Sequence, residues 1–190
     1  ALGTVAALGL SRRNMPFKGT IMAILISPMI VPLIITSAGM FFFYSKIGLT
    51  HTYLGLILAH TALGTPFVVI TVTATLTGFD TNLIRASQSL GANTMRTFFK
   101  VIMPLILPGV ISGALFAFIT SFDEVVVVMF VGSVEQITIP KQMWAGLRQE
   151  TSPVILCMAT CLVFLSIALL TTVELLRRRS ERLRGIKLQN

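Results

Sequence analysis

The sequence predicts an all-α fold, a polytopic bundle of membrane-spanning helices, and three observations carry that prediction. Charged residues make up 12% of the chain, against about 25% in soluble globular domains. Four runs, 21–43, 54–79, 104–122 and 154–173, contain no Asp, Glu, Lys or Arg, and about 20 apolar residues suffice to cross a bilayer core. The charge is also one-sided. If successive loops alternate sides, 11–19, 78–103 and the tail from Arg177 share a face. They hold Arg12, Arg13, Lys18, Arg85, Arg96, Lys100, Arg177, Arg178, Arg179, Arg182, Arg184 and Lys187, while the opposite loops hold only Lys46, Lys141 and Arg148. The positive-inside bias places the first set in the cytoplasm. The net charge of +8 therefore reads as orientation and contact with membrane lipid, not as a surface for nucleic acid.

Taken in order, residues 1–10 are apolar but too short to span, and are expected to be the end of a truncated span that begins upstream. A short cytoplasmic link at 11–19 contains Pro16. The first full span, about 20–44, carries Pro28 and Pro32 and is expected as one kinked helix packed inside the bundle, since neighbouring helices can re-satisfy the carbonyls a proline frees. A tight outer turn leads to a second span, about 52–77. There His60 lies at mid-depth with Thr61 and Thr65. An ionisable residue inside a membrane is a functional candidate by default, although a lone histidine is more commonly a hydrogen-bonded packing residue. Tyr44 and Tyr53 mark the outer ends of this helix pair as interfacial aromatics do.

The loop 78–103 is a charged island between apolar runs. Leu83, Ala86, Ser87 and Leu90 recur at helical spacing behind Asp80 or Thr81 as N-cap. Gly91 supplies the left-handed residue that ends such a helix. A second short helix with Met95, Phe98, Phe99 and Ile102 on one stripe is expected before Met103-Pro104. The third span is drawn as one helix over about 105–131. On it Gly109, Ser112, Phe116, Thr120 and Asp123 fall within a narrow sector. Asp123 and Glu124 are the chain's only adjacent acids, and a charge there is costly unless paired or hydrated. Asp123 shares the polar stripe and is the residue expected to face a water-filled path; an interhelical ion pair is the plainer alternative. Segment 132–153, with Trp144, is expected to rest on the outer surface. A last span, about 154–176, ends with Glu174 near Arg177 and Arg178, an ordinary terminal ion pair. Cys157 and Cys161, within that span, read as small packing residues.

Chemistry is as informative by omission. The sequence has no nucleophile–base set, no metal-ligand cluster and no Gly-x-x-x-x-Gly-Lys-Ser/Thr phosphate loop. Any ATP-driven work must therefore reach this chain through a cytoplasmic contact, which the 78–103 loop is suited to make. The pattern Ala86-x4-Gly91-Ala92, followed by Phe98, Val101, Met103-Pro104 and Pro108, resembles the Glu-Ala-Ala loop of type I, binding-protein-dependent ABC importer permeases. Spacing is kept throughout; Arg85, Ser87 and Met103 stand where that loop has Glu, Ala and Leu. Gly78-Phe79-Asp80 and Ser121-Phe122-Asp123-Glu124-Val125-Val126-Val127 are similar to the spermidine/putrescine branch.

The resemblance implies a single permease domain over 1–190 and an importer subunit rather than an enzyme. It also implies a bacterial inner-membrane location and a polyamine or related cationic amine as solute. The implied partners are a second permease subunit, a cytoplasmic ATPase dimer that holds the ATP and Mg, and an extracytoplasmic solute-binding protein. Arg85, Ala86, Ser87, Leu90, Gly91, Ala92, Met95 and Pro104 would form the coupling loop, and Thr120, Asp123, Glu124 and His60 the translocation path. Two other classes remain beside it. A secondary transporter or channel would use Asp123, Glu124 and His60 without an ATPase. A membrane-tethered DNA-binding helix–turn–helix is disfavoured because both ends of the loop run directly into spans.

Overall fold

The computed structural model describes residues 1–12, 15–149 and 153–183, and every described regular element is helical. Arg13, Arg184 and Lys187 lie outside the described residues, as do the side chains of Arg148, Arg177, Arg178, Arg179 and Arg182; the expected Glu174 ion pair therefore does too. The elements are α1 (Leu2–Leu10), α2 (Lys18–Ile30), α3 (Leu33–Ile47), α4 (Tyr53–Thr77), α5 (Asn82–Ser89), α6 (Thr94–Thr97), a π turn (Phe98–Ile102), α7 (Met103–Phe122), α8 (Val126–Val131), α9 (Ile139–Gln149) and α10 (Pro153–Leu183). Three of the described helices are long and apolar enough to cross a membrane, or four if the bent pair α2–α3 is one span.

The centre of the fold is the pairing of α4 with α7, and small residues make it close. Gly109, Gly113 and Ala117 recur every fourth residue along α7. A Cβ added at Gly113 would lie 2.7 Å from Val68 Cα and would also strike Thr71, and one at Gly109 would strike Thr75. On the other helix, a Cβ at Gly64 would come within 3.0 Å of the Ala117 methyl. In lipid no hydrophobic force separates helix from solvent, so such close backbone approach and van der Waals contact supply much of the association. Gly3 brings α1 against Val68 in the same way. Two apolar clusters sit at opposite ends of the pair. Ala7, Val72 and Ile106 form one, and Tyr44, Leu56, Ala59, Leu63, Val127, Val128 and Val131 the other.

The structure corrects three expectations about continuity. The 20–44 stretch is a break instead of a kinked helix: α2 and α3 meet at 105°. Pro32 disfavours helical geometry in the residue before it, and Val31 is accordingly extended, with ψ 135°. Pro28 is tolerated within α2, yet α2 buries none of its residues, so it does not pack inside this chain's bundle.

The 105–131 stretch is divided as well. α7 stops with Asp123 as its C-cap, and α8 begins three residues later. The cause is local. Glu124 Oε1 accepts a hydrogen bond from the Val127 amide at 2.8 Å, satisfying one of the orphan donors at the start of α8.

The third correction concerns the second short helix of the loop, which is the foot of α7. Residues 94–122 run as one 29-residue helix. Within it the Met103 amide reaches back to the Phe98 carbonyl, one residue beyond the α-helical partner. This wider turn precedes Pro104, whose ring would clash with the carbonyl four residues back and has no N–H to donate.

Candidate functional site

Two regions gather the functional candidates, one at each end of the α4–α7 pair. At the first, α5 starts behind Thr81, with Asp80 Oδ1 accepting the Asn82 amide at 2.9 Å. It ends in a Schellman arrangement: the Ala92 amide donates to the Ser87 carbonyl at 3.1 Å and the Gly91 amide to the Gln88 carbonyl at 2.9 Å. Gly91 has φ +79°, a conformation that costs an L-residue roughly 1–2 kcal/mol. Asn93 then caps α6 through its side chain, accepting from the Arg96 amide at 2.8 Å.

One side-chain bond fixes α5 to the foot of α7, Ser87 Oγ to Thr97 Oγ1 at 2.9 Å, and Thr97 is buried. No residue of α5 is buried. Leu90 is 88% exposed and Met95 68%, and Arg85, Ala86 and Gly91 are exposed beside them, with Ala92 half-buried. Pro104 is exposed on the first turn of α7. The stripe read from spacing therefore points away from the protein. Only Ser87 of that stripe turns inward.

The second region is a cavity of about 840 Å³ between α1, α4, α7 and the segment 135–138. Its α4 wall includes His60, Thr61 and Thr65, and its α7 wall is Ala114, Ala117, Phe118 and Ser121. His60 Nδ1 and Ser121 Oγ are 2.9 Å apart across the helix pair. Glu124 is 6% exposed and is the electrostatic neighbour of His60.

His60 and Ser121 are thus brought together on the cavity wall with Glu124 in electrostatic reach of His60, whereas Glu124, Asp123 and Thr120 are not among the cavity's lining residues. Asp123 is exposed at the end of α7 and Thr120 half-buried on another face. Of the stripe drawn through Gly109, Gly109 itself packs against Thr71 and Thr75 of α4. Ser121 was missed; its place one turn beyond Ala117 on the small-residue face was the available signal. The part His51 plays in the α3–α4 turn was missed too. His51 there has φ +61°, its amide donates to the Val131 carbonyl at 2.8 Å, and its Nδ1 lies 3.1 Å from the Gly132 carbonyl.

Residues 1–183 match the family of binding-protein-dependent transport system inner membrane components. The chain belongs to this family. It is therefore a transport component and not an enzyme, a multi-pass protein of the inner membrane that works in a complex with partner subunits. Among curated relatives of these permeases, the spermidine/putrescine transport system permease protein PotC of Haemophilus influenzae is 30% identical over 94% of this chain and 70% of its own length. The Escherichia coli PotC is 29% identical over 93% and 67%. The putrescine transport system permease protein PotI of Escherichia coli is 29% identical over 85% and 60%. A solved structure of the MetNI methionine ABC transporter in inward-facing conformations contains a chain with TM-score 0.74 and 21% identity, covering 94% of this chain and 86% of that one. That likeness speaks for the permease fold.

Proposed function

We propose that this chain is one of two permease subunits of an ATP-driven importer for a polyamine or a related cationic amine. A cytoplasmic ATPase dimer holds the ATP and Mg, and an extracytoplasmic protein delivers the solute to the outer end of the bundle. The loop 78–103 and the C-terminal tail face the cytoplasm, as the basic residues of the first set favour. The observation that carries the reading is the coupling element. An ordered helix, closed by a Schellman turn and pinned by Ser87 to Thr97, leaves Leu90 at its end, and Met95 just beyond, exposed among the described residues. Seating Leu90 in an ATPase groove would contribute about 1.5–3 kcal/mol, enough to hold the subunits in register while closure of the ATPases moves α5. Through the Ser87–Thr97 bond, that motion would reach the foot of α7.

The amine reading rests on the names of the relatives and on Glu124, a buried carboxylate in electrostatic reach of His60 on the cavity wall. Asp123, exposed one residue away, can meet solute where two permease subunits face one another, with Thr120 and His60 completing the path. Membership of a binding-protein-dependent family argues against a self-sufficient channel.

The test is co-purification of the membrane complex, followed by uptake of putrescine and spermidine into vesicles loaded with ATP. Uptake that requires ATP and the co-purifying ATPase supports the reading. Equal uptake without ATP would overturn the coupling part, and ATP-driven uptake that excludes every amine would overturn the solute.

A further inference from the structure

A second cavity, of about 820 Å³, lies at the foot of the bundle, behind the α5 helix and distinct from the cavity at the other end. It is enclosed by the end of α1, the last turns of α4, the inner face of α5 and the π turn. Its walls are mixed. Leu8, Leu76, Ile84 and Phe98 are apolar, while Arg12 and Lys18 bring two positive charges, and no carboxylate is among its lining residues. No ion pair among the described residues engages either cation. The nearest acid in sequence, Asp80, is not part of the lining, and its Oδ1 already accepts the Asn82 amide.

Two further observations point the same way. Thr73 lines this cavity, and its Oγ1 is the one buried side-chain polar atom among the described residues without a hydrogen-bond partner. The other threonines of α4 do not share this state: Thr61, Thr65, Thr71, Thr75 and Thr77 each bond a carbonyl one turn back. A buried hydroxyl left unpaired costs about 1–3 kcal/mol, so it marks a place where a ligand oxygen would be welcome. In addition, α2 begins at Lys18 with no side-chain cap and no acid in its first turn. The positive end of its dipole is thus uncompensated beside the same opening.

We propose that this cavity binds the phosphate of an anionic phospholipid headgroup. Arg12 and Lys18 hold the phosphate oxygens, the Thr73 hydroxyl donates to the headgroup, and Leu8, Leu76 and Phe98 receive the glycerol end of the chains. A basic pocket between spans on the cytoplasmic side is where such headgroups are met. Because Thr81, the N-cap of α5, and Ile84 and Gln88 within it form part of the wall, the bound lipid would back the coupling helix from inside, opposite the face that presents Leu90. The proposal uses the cytoplasmic placement of 78–103 but not the identity of the solute.

The experiment is lipid retention by the intact transporter in phosphatidylcholine nanodiscs with and without phosphatidylglycerol, read by native mass spectrometry. Arg12→Gln and Lys18→Gln, both at exposed positions, should each lower phosphatidylglycerol affinity about fivefold, and the double variant about 25-fold. Thr73→Val should lower it further, while melting no lower than the wild type in pure phosphatidylcholine, where its hydroxyl has no partner to lose. Unchanged retention in the double variant would overturn the proposal. Equal protection by inorganic phosphate in phosphatidylcholine discs would overturn the lipid assignment. A failure of amine uptake would leave these readings untouched, since none of them measures transport.

Discussion

The two ends of the α4–α7 pair treat their polar and apolar groups in opposite ways. At the α8 end the chain completes itself. Glu124 caps α8, His51 bonds the Val131 and Gly132 carbonyls, Lys141 Nζ donates to the Ser133 and Gln136 carbonyls, and Val127, Val128 and Val131 are fully buried. At the other end the turn after α5 is closed by its backbone bonds but side chains are left open: α5 buries nothing and Leu90 stands out. A helix that is locally ordered yet externally unpartnered has its geometry set before any partner arrives. Less ordering entropy is then lost on docking.

That contrast can be broken most severely at Leu90. Leu90→Asp should weaken ATPase docking by roughly 10–100-fold, from about 1.5–3 kcal/mol of lost burial. The melting temperature of the permease itself should not change. A co-purification yield equal to the wild type would mean that Leu90 is not in the interface. Next in size is Gly91→Val. A β-branched residue at φ +79° costs at least about 1–2 kcal/mol locally, opening the Schellman turn and reducing uptake about tenfold per 1.4 kcal/mol transmitted. Uptake per ATP hydrolysed is the quantity to measure, and an unchanged ratio would remove the turn from coupling.

Glu124 sharpens the other end. Glu124→Ala removes the cap and should cost about 0.5–2 kcal/mol in thermal unfolding. Glu124→Gln keeps an acceptor for the Val127 amide and should unfold like the wild type. If both variants lose uptake of a dication while only the alanine variant loses stability, the carboxylate has a role beyond capping; if Gln transports normally, it has none. The smallest effect is expected for His51→Ala, about 1 kcal/mol for one lost hydrogen bond. Hydrogen exchange at the α3–α4 turn should show it, and no change there would mean that the backbone bond to Val131 holds the turn alone.

Much of this was legible in the sequence, for identifiable reasons. Uncharged runs marked the apolar helices because a bilayer punishes charge more uniformly than a protein core does. The Gly91 turn was legible because glycine at that spacing has few other uses. The breaks were not. Pro28 and Pro32 carry the same ring, and only the structure distinguishes the one tolerated inside α2 from the one that turns the chain by 105°. Asp123 and Glu124 were visible as a pair, yet their division into an exposed C-cap and a buried N-terminal acceptor depends on where α7 ends. The cavity face escaped because Ala114 and Ala117 carry no polar signal, and Ser121 alone is a weak one.

The π turn at Phe98–Ile102 also bears on how the two ends can coexist on one helix. One added residue in a turn shifts the phase of everything beyond it by about 100°, a single residue's worth of rotation. The faces below and above it are therefore set independently. Met95 and Phe99 can look outward below while Gly109 and Gly113 keep their seat on α4 above. A wheel drawn with one period through 94–122 loses its phase at residue 102. The joint between the α5 region and the bundle is written as an offset in numbering, just ahead of Pro104.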